Sequence, residues 1–149
     1  MPPIDDLYLL LSELPASFCS LTYAEVNQPR AEGKWSKLQI LGHLCDSAIN
    51  NLSRFIKIQY EPQPFPLTPY DQNKWMEAQQ YGNASPDDIL NLWVSLNQTV
   101  LRVISNLTPA QLSLVSQFPQ GDIVTLEWLI EDYIQHMKHH LGQIFPQNA

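Results

Sequence analysis

Residues 125–145 read TLEWLIEDYIQHMKHHLGQIF, and the apolar residues of this stretch recur every three or four positions. That period predicts an amphipathic helix, which Thr125 caps at its start and which ends before Pro146. The apolar face consists of Leu126, Ile130, Tyr133, Met137, Leu141 and Ile144. The same stretch holds three of the four histidines of the chain.

Three segments upstream carry the same helical period. Residues 3–27 have leucines and aromatic residues at helical spacing, and we expect Pro15 to kink or split this helix. Ser36, with Gln39 three residues later, opens a second helix that runs to about residue 60. Pro86, at the first helical position, starts another long helix that runs to about residue 106.

The segments between these helices are rich in turn-forming residues. YEPQPFPLTPYDQ (60–72) has four prolines in eight residues, so it cannot be helical and must form a long loop. Short helical turns are expected in 70–79 and 107–112, and SQFPQGDIV (116–124) is expected to be a loop. We find no β-hairpin signal and no internal repeat. The sequence therefore predicts an all-α protein, a four-helix bundle formed by a single domain, 1–149.

Composition and charge narrow the class of protein. The 149 residues suffice for one domain with a sizeable core, and 44% of them are hydrophobic. The net charge of −7 argues against a nucleic-acid partner. No apolar run approaches the roughly 18 residues that cross a bilayer, and the acidic N-terminal stretch is unlike a signal peptide, so we expect no membrane contact and a cytoplasmic location. Cys19 and Cys45 are too few for a disulfide framework, and we expect both thiols to be buried.

The histidines of the last helix divide into a pair and a third residue. At about 100° per residue, His136 and His140 lie one turn apart on the same side of the helix, near the margin of its apolar face. His139 points away from that side. Two imidazoles at i and i+4 can reach one metal ion, and a third ligand from a facing helix would leave open positions for water or substrate.

His43 is the remaining histidine that can supply the third ligand. It lies on a polar stripe of the second helix with Ser47, Asn50 and Arg54. This stripe faces a crevice of the bundle in one interpretation and solvent in the other. A histidine in a helix is more often a surface or hydrogen-bonded residue than a ligand. The spacing by itself leaves both interpretations open.

Three segments together resemble a known family. GKWSKLQILGHLCDSAINNLSRF (33–55), YDQNKWMEAQQY (70–81) and the quoted last helix, in this order and at these separations, are similar to the DinB/YfiT-like superfamily of metal-binding four-helix proteins. The resemblance covers nearly the whole chain. It implies a bundle with up-down-down-up topology, in which the Pro-rich loop is the crossover between the second and third long helices. It also implies that His43, His136 and His140 bind a divalent metal, zinc or nickel, and that His139 does not.

The family includes proteins proposed to be metal-dependent hydrolases, enzymes that use low-molecular-weight thiols such as bacillithiol or mycothiol, and many uncharacterised members. In the first hypothesis the metal activates such a thiol, and its thiolate attacks an electrophilic small molecule. Arg54 and Asn50 then position the thiol or the substrate. Arg54 can equally be a solvated residue or a partner of Asp46.

Two other hypotheses stay open, so the sequence does not decide whether the protein is an enzyme. In the second, the metal activates water for hydrolysis, with Asp46 or Asp132 as candidate general base, although no HExxH motif is present. Asp132 can instead orient the His136 ring. In the third, the metal only joins two helices and the bundle has no catalytic activity.

The remaining features give weaker indications. Asp71 and Trp75 resemble a family motif that would cover the metal cavity, although an aromatic residue on a short helix is more often part of the core. Trp35 and Trp128 are expected to be core or packing residues. Cys45 points about 160° away from the neighbouring histidine, which argues against a role as ligand or nucleophile. We also expect a homodimer, from the habit of the family and from apolar faces larger than four short helices need.

Overall fold

Four long helices and a small β-sheet make up the protein. Its structure, a computed structural model, describes residues 1–146, so the last three residues of the predicted domain lie outside the described part. The elements follow in this order: α1 (Pro2–Cys19), α2 (Tyr23–Asn27), α3 (Lys37–Lys57), β1 (Phe65–Pro66), α4 (Gln72–Gln79), a 3-10 turn (Tyr81–Asn83), α5 (Pro86–Ser105), α6 (Pro109–Leu112), β2 (Val115–Gln117), β3 (Ile123–Thr125) and α7 (Leu126–Ile144). The four long helices α1, α3, α5 and α7 confirm the predicted bundle.

The long helices form a ring in which α1 and α3 each pack against both α5 and α7. Two contacts show that α1 and α7 run in the same direction. Asp6, in the first turns of α1, pairs with Lys138 of α7 at 2.6 Å. Ser17, in the last turn of α1, lines a cavity together with Phe145, which follows the end of α7.

The other two long helices run in the opposite direction. Phe18 at the end of α1 lines a cavity with Pro86 at the start of α5, so these two helices are antiparallel. His43 near the start of α3 lies against His140 near the end of α7, with the ring centroids 4.7 Å apart. The helices α3 and α7 are therefore antiparallel as well. The topology is up-down-down-up, as predicted.

Apolar side chains of the four helices fill the space between them. Trp93, Phe55, Leu7 and Ile130 have no exposed surface. Fully burying an apolar side chain such as Leu or Phe contributes roughly 1.5–3 kcal/mol relative to its exposed state. This packing is the main source of stability for the bundle. Within residues 1–146, no helix is both long enough and apolar enough to cross a membrane.

The first predicted helical segment is divided into two helices, but the division does not lie at Pro15. Pro15 lies inside α1 without splitting it. The break comes after Cys19, and Thr22 then opens α2 with its own capping box. The Thr22 hydroxyl accepts a hydrogen bond from the Glu25 amide at 3.1 Å, and the Glu25 carboxylate accepts one from the Thr22 amide at 3.0 Å. The capping signal, and not the proline, separates the two helices.

The prediction that both thiols are buried is wrong for Cys19, and Trp128 is a packing residue outside the core. Cys19 is exposed because it is the last residue of α1, whereas Cys45 is buried as predicted. Trp128 is 41% exposed. It lies in the first turn of α7, where its ring packs edge-on against Phe118 at a centroid distance of 5.9 Å instead of entering the bundle.

The structure contains a β-hairpin, although no hairpin was predicted from the sequence. β2 and β3 form an antiparallel pair whose turn includes Gly121, with a φ of 108° that favours glycine. β1, from the Pro-rich crossover, pairs in parallel with β2. Strands of two or three residues are too short to show an alternating pattern in the sequence. The sheet joins the crossover to the segment that leads into α7.

Candidate metal centre

Three histidines from two antiparallel helices meet at one point of the bundle. His43 comes from α3, and His136 and His140 come from successive turns of α7. One ring nitrogen of each histidine lies within 4.8 Å of those of the other two. His43 is buried, with 1% of its surface exposed, whereas the other two are half-buried. The cluster therefore has a closed side, formed by α3, and an accessible side along α7.

Local sequence fixes where these histidines lie along their helices. The Ser36 hydroxyl and the Gln39 side chain complete the predicted capping box at the start of α3, with hydrogen bonds of 3.1 and 2.9 Å. The Thr125 hydroxyl accepts a hydrogen bond from the Trp128 amide at 3.1 Å and so caps α7. Both caps define the first turn, and they therefore define how many turns separate each histidine from the start of its helix.

The spacing of the imidazole nitrogens fits a shared metal ion. The Nε2 atoms of His136 and His140 are 3.1 Å apart. Two nitrogens that are each about 2.1 Å from one ion, at tetrahedral or octahedral angles, are separated by about 3.0–3.4 Å. Three imidazole donors suit zinc, nickel and other divalent transition metals.

The surroundings of His43 point to a missing ligand. Both of its ring nitrogens are buried and have no hydrogen-bond partner among the described residues. A buried polar atom without a partner costs about 1–3 kcal/mol, and native structures satisfy nearly all such atoms. A metal ion bound to one of these nitrogens would remove that cost.

His140 is oriented by a glutamine on its own helix. Its Nδ1 atom lies 2.9 Å from the Gln143 Oε1 atom. An amide oxygen can only accept a hydrogen bond, so Nδ1 carries the proton and Nε2 presents its lone pair to the cluster. Gln143 lies three residues after His140, a spacing that places both on one face of the helix.

The electrostatic environment keeps the three rings neutral at neutral pH. Burial, followed by repulsion from His140 and His136, lowers the pKa of His43 from 6.5 to about 4. Burial and repulsion from its neighbours on α7 lower the pKa of His136 to about 4 as well. Burial also lowers the pKa of His140, and the hydrogen bond with Gln143 opposes this effect. Histidine binds a metal ion in its neutral form, so these rings are ready to act as ligands.

The fourth histidine lies outside this arrangement. His139 is exposed, and only the other three histidines have ring nitrogens close enough together to hold one ion. The ring beside His43 is that of Trp35, at a centroid distance of 5.1 Å. Of the two predicted cover residues, Asp71 accepts a hydrogen bond from the Lys74 amide at 3.0 Å and caps α4, and Trp75 packs against Tyr70.

Behind the histidines, a buried carboxylate ties α3 to the segment after α4. Asp46 has no exposed surface, and its Oδ1 atom accepts hydrogen bonds from the Tyr81 hydroxyl at 2.6 Å and the Gln79 amide at 3.1 Å. Burial raises the pKa of Asp46, and these two hydrogen bonds oppose the increase. The Tyr81 ring also lies directly over Gly42, the residue before His43. Asp46 thus connects α3 to the segment after α4 by hydrogen bonds, and it forms no ion pair with Arg54.

A cleft of about 270 Å³ begins one helical turn from the histidines, between α3, α7 and the loops that form the sheet. Its polar lining comes from Asn51, Arg54, Tyr70, Gln72 and Asp132. Asp132 precedes His136 by four residues and so lies on the same side of α7. The histidines themselves do not line the cleft, and Asp132 is the lining residue that connects it to His136 along α7.

The two residues expected to position a substrate have different surroundings. Arg54 lines the cleft and donates a hydrogen bond to the Thr68 carbonyl at 2.7 Å. The Asn50 amide donates to the Asp46 carbonyl of its own helix at 2.9 Å, and it is the next residue, Asn51, that lines the cleft. Asn50 and Asn51 are about 100° apart around the helix, and the wheel does not show which of these two directions faces the cleft.

Two residues that contribute to this site, Gln143 and Tyr81, were not predicted as site residues from the sequence. Gln143 could have been found from its spacing of three residues after His140 on a helix. The contact of Tyr81 with Asp46 and Gly42 could not, because it joins segments that are distant in the sequence and that no periodic pattern connects.

Comparisons with known proteins agree with this structure. The family model of the DinB superfamily matches residues 7–144. A "putative metal-dependent hydrolase" from Halalkalibacterium halodurans is 31% identical over 142 residues, which cover 95% of this chain and 81% of the relative. A similarly named relative, YfiT from Bacillus subtilis, is 29% identical over 140 residues, which cover 91% of this chain and 78% of YfiT.

Solved structures show the same fold. A solved structure of YfiT from Bacillus subtilis, described as having "an unusual four-helix bundle topology", has a TM-score of 0.85 at 27% identity, and the match covers 97% of this chain and 82% of that one. The structure of a mycothiol-dependent maleylpyruvate isomerase has a TM-score of 0.69 at 17% identity, and the match covers 95% of this chain and 60% of the isomerase chain. This similarity concerns the fold alone. With a family match over nearly its whole length and a bundle that places three histidines together, the chain belongs to the DinB superfamily.

Proposed function

We propose that this protein is a metal-dependent enzyme that transfers a low-molecular-weight thiol to an electrophilic small molecule. The observation that carries the proposal is the convergence of three neutral imidazoles, with ring nitrogens within 4.8 Å of one another, beside a cleft. A divalent metal in such a site keeps its full positive charge and acidifies a bound thiol or water. His43, His136 and His140 are the proposed ligands, and zinc or nickel is the proposed metal.

The residues around the ligands have distinct tasks in this proposal. His43 is held on the closed side by burial, and Gln143 keeps the Nε2 lone pair of His140 directed at the cluster. The half-buried His136 and His140 leave the other side accessible to substrate. Because all three ligands are neutral, the site favours an anionic partner such as a thiolate.

Arg54 is the proposed anchor for the part of the thiol or the substrate that does not react. One of its guanidinium nitrogens is engaged by the Thr68 carbonyl, and the other N–H groups remain available for an anion. Asn50 was the second candidate for this task. Asn51 takes its place in the proposal because Asn51 lines the cleft with Arg54.

Hydrolysis is the second candidate function, and one residue favours it. Asp132 lines the cleft one turn from His136 and is a carboxylate in a position to accept a proton from water. Burial raises the pKa of Asp132, which brings it closer to the range of a general base at neutral pH. Asp46 is a poorer candidate, because Tyr81 and Gln79 already occupy its Oδ1 atom.

The first experiment measures metal content in protein purified without a histidine tag. One metal per chain is expected in the wild type and in His139→Ala, the matched control from the same stretch of α7. His43→Ala, His136→Ala and His140→Ala should each lose most of it. If the wild type takes up no metal after loading, both enzymatic hypotheses fail together.

Activity assays then separate the two reactions. Asp132→Asn should abolish hydrolysis if Asp132 is the general base, and it should leave thiol transfer within a few-fold of wild type. Transfer to a model electrophile by the metal-loaded protein, lost in His43→Ala, would support the first candidate. A protein that binds metal but catalyses neither reaction, and that unfolds on metal removal, would instead fit a metal-stabilised bundle without activity.

We also propose that the protein is a cytoplasmic homodimer. Its ligands are small molecules, and it binds neither nucleic acid nor membranes. Exposed aromatic and aliphatic side chains on the first two helices support association, since Tyr8, Leu9 and Tyr23 are 66%, 53% and 75% exposed. The solution mass decides this point. A monomer at micromolar concentration would remove the homodimer from the proposal.

A further inference from the structure

The cleft beside the histidines contains one positive and one negative side chain that do not pair with each other. Arg54 reaches it from α3 and Asp132 reaches it from α7. Within residues 1–146, the ion pairs closer than 4.0 Å are Lys74 with Glu77 and Lys138 with Asp6, so neither cleft residue has an opposite charge beside it. The two charges face the same space from two different helices.

The position of Arg54 is fixed by its contacts and not by a carboxylate. Its guanidinium donates to the Thr68 carbonyl at 2.7 Å and lies 5.9 Å from the centre of the Tyr70 ring. Burial lowers the pKa of this guanidinium, but an arginine stays charged in proteins. A half-buried guanidinium with free N–H groups and no counter-ion is a site prepared for an anion that comes from outside.

The size and walls of the cleft limit what can bind there. Its volume of about 270 Å³ is below the roughly 300–1,000 Å³ typical of pockets for drug-sized ligands. Leu67, Phe118 and Leu129 provide an apolar wall. The space thus suits a group about as large as one amino acid, with a polar end and an apolar side.

We propose that this cleft binds the aminocarboxylate group of a zwitterionic small molecule, with its carboxylate on Arg54 and its ammonium on Asp132. A free amino acid, or an amino-acid-derived thiol or electrophile, belongs to this class. A ligand with a carboxylate alone would leave Asp132 facing a like charge, and a ligand with an amine alone would do the same to Arg54. This inference rests on the proposed function only in that the metal would act on the other end of the bound molecule.

Three related probes test the inference with the zinc-loaded protein. L-leucine carries both charges, N-acetyl-L-leucine lacks the ammonium, and L-leucine methyl ester lacks the carboxylate. Binding is followed by ¹H–¹⁵N NMR of the side-chain amides of Asn51 and Gln72, which line the cleft and report on it locally. We expect the methyl ester to bind about tenfold more weakly than leucine, because a hydrogen-bonded charge at Arg54 is lost. The N-acetyl compound should bind about threefold more weakly, since Asp132 is more exposed.

Variants give the decisive result because each should affect the probes in opposite directions. Asp132→Asn should weaken leucine and strengthen N-acetyl-leucine, and Arg54→Met should weaken leucine and strengthen the methyl ester. Arg54→Lys, which keeps the charge, should bind leucine with intermediate affinity. Arg102→Met on α5 is the matched control and should change none of the affinities. If Arg54→Met does not fold, the comparison of the three probes on wild type still decides.

Equal affinities for the three probes, or an unchanged affinity for leucine in both charge variants, would overturn the inference. If leucine were held only by chelation to zinc, its affinity would be unchanged in Arg54→Met, and this outcome would also contradict the inference. The proposed metal function fails separately, through the metal content of the wild type. If the protein binds no zinc but still prefers leucine, the result would support aminocarboxylate binding in the cleft and contradict the proposed zinc site.

Discussion

Replacing Gly42 by alanine should destabilise the protein, although helix propensity alone predicts the opposite. In the interior of a helix, alanine is favoured over glycine by about 1 kcal/mol. Gly42 lies in α3, directly before His43, and the Tyr81 ring packs over it. A Cβ atom added there would overlap Cγ, Cδ2 and Cε2 of Tyr81, and the most distant of these three atoms would be 2.7 Å away. Carbon atoms normally approach to about 3.5–4.0 Å, so the ring must move.

The size of the effect follows from what the ring would lose. Overpacking a filled site costs about 1–3 kcal/mol. Moving the ring also breaks the 2.6 Å hydrogen bond from the Tyr81 hydroxyl to the buried Asp46, and a hydrogen bond to a charged group contributes about 1.5–3 kcal/mol. After the gain in helix propensity, Gly42→Ala should lower the free energy of unfolding by about 1.5–5 kcal/mol. For a protein of this size the expected fall in Tm is on the order of 10 °C.

Urea denaturation followed by circular dichroism measures this change, and the chain offers a matched control. Gly142 lies in α7, and no heavy atom lies within 4 Å of the position of an added Cβ. Gly142→Ala should therefore be neutral or stabilising. In a Tyr81→Ala background, Gly42→Ala should lose its cost, which gives a coupling energy above about 1 kcal/mol. A Gly42→Ala protein as stable as wild type would show that Tyr81 does not hold this position against α3.

Three further predictions concern the metal site, its protonation and the core. Gln143→Leu should weaken metal binding about 10–100-fold by releasing the orientation of His140, whereas the exposed Gln135→Leu on the same helix should not; equal affinities in a competition titration would exclude this role for Gln143. In metal-free protein, the folded-state pKa of His43 is about 4 against 6.5 for an unperturbed histidine, so between these values the unfolded chain binds more protons. The free energy of unfolding should not depend on His43 above pH 6.5, and it should fall by up to roughly 3 kcal/mol as the pH is lowered toward 4. A free energy of unfolding that stays constant across that pH window would contradict the burial of a neutral His43. Trp93→Ala, at a fully buried position, should cost about 3–5 kcal/mol, and Trp128→Ala, at a position that is 41% exposed, should cost clearly less; similar values in denaturant titrations would place Trp128 in the core after all.

The long helices could be predicted because their signals are local. The Ser36 and Gln39 pair, Pro86, and Thr125 each mark a helix start, and the structure has α3, α5 and α7 begin at these residues or immediately after them. Hydrophobic periodicity then gives the buried face of each helix. The small sheet could not be predicted in the same way. β1 pairs with β2 across some fifty residues of intervening chain, and each strand is too short for its own pattern to be visible.

The site could be predicted in part from the residues and in part from the resemblance. The helical wheel places His136 and His140 on one side of α7 and separates His139 from them, and the structure has the same division. For His43 the wheel left a buried and an exposed interpretation open, because its stripe also carries Ser47 and Arg54. The structure shows it buried, since α7 covers this part of the stripe. Which of Asn50 and Asn51 faces the cleft depends on the exact rotation of α3, which a sequence pattern does not fix.

The parallel pairing of β1 with β2 gives the proposed substrate anchor a structural support that is separate from that of the proposed metal ligands. The three histidines stand on two long helices whose positions are set by the packed core. Arg54, in contrast, is oriented by the Thr68 carbonyl, which follows directly on Leu67, whose amide bonds to the Gln117 carbonyl at 2.9 Å. A change in the length or sequence of either loop would re-aim the guanidinium and reshape the cleft while leaving the histidines where they are. Under the proposed function, descendants of this chain can acquire new substrates by altering these two surface loops, while the three histidines keep their positions.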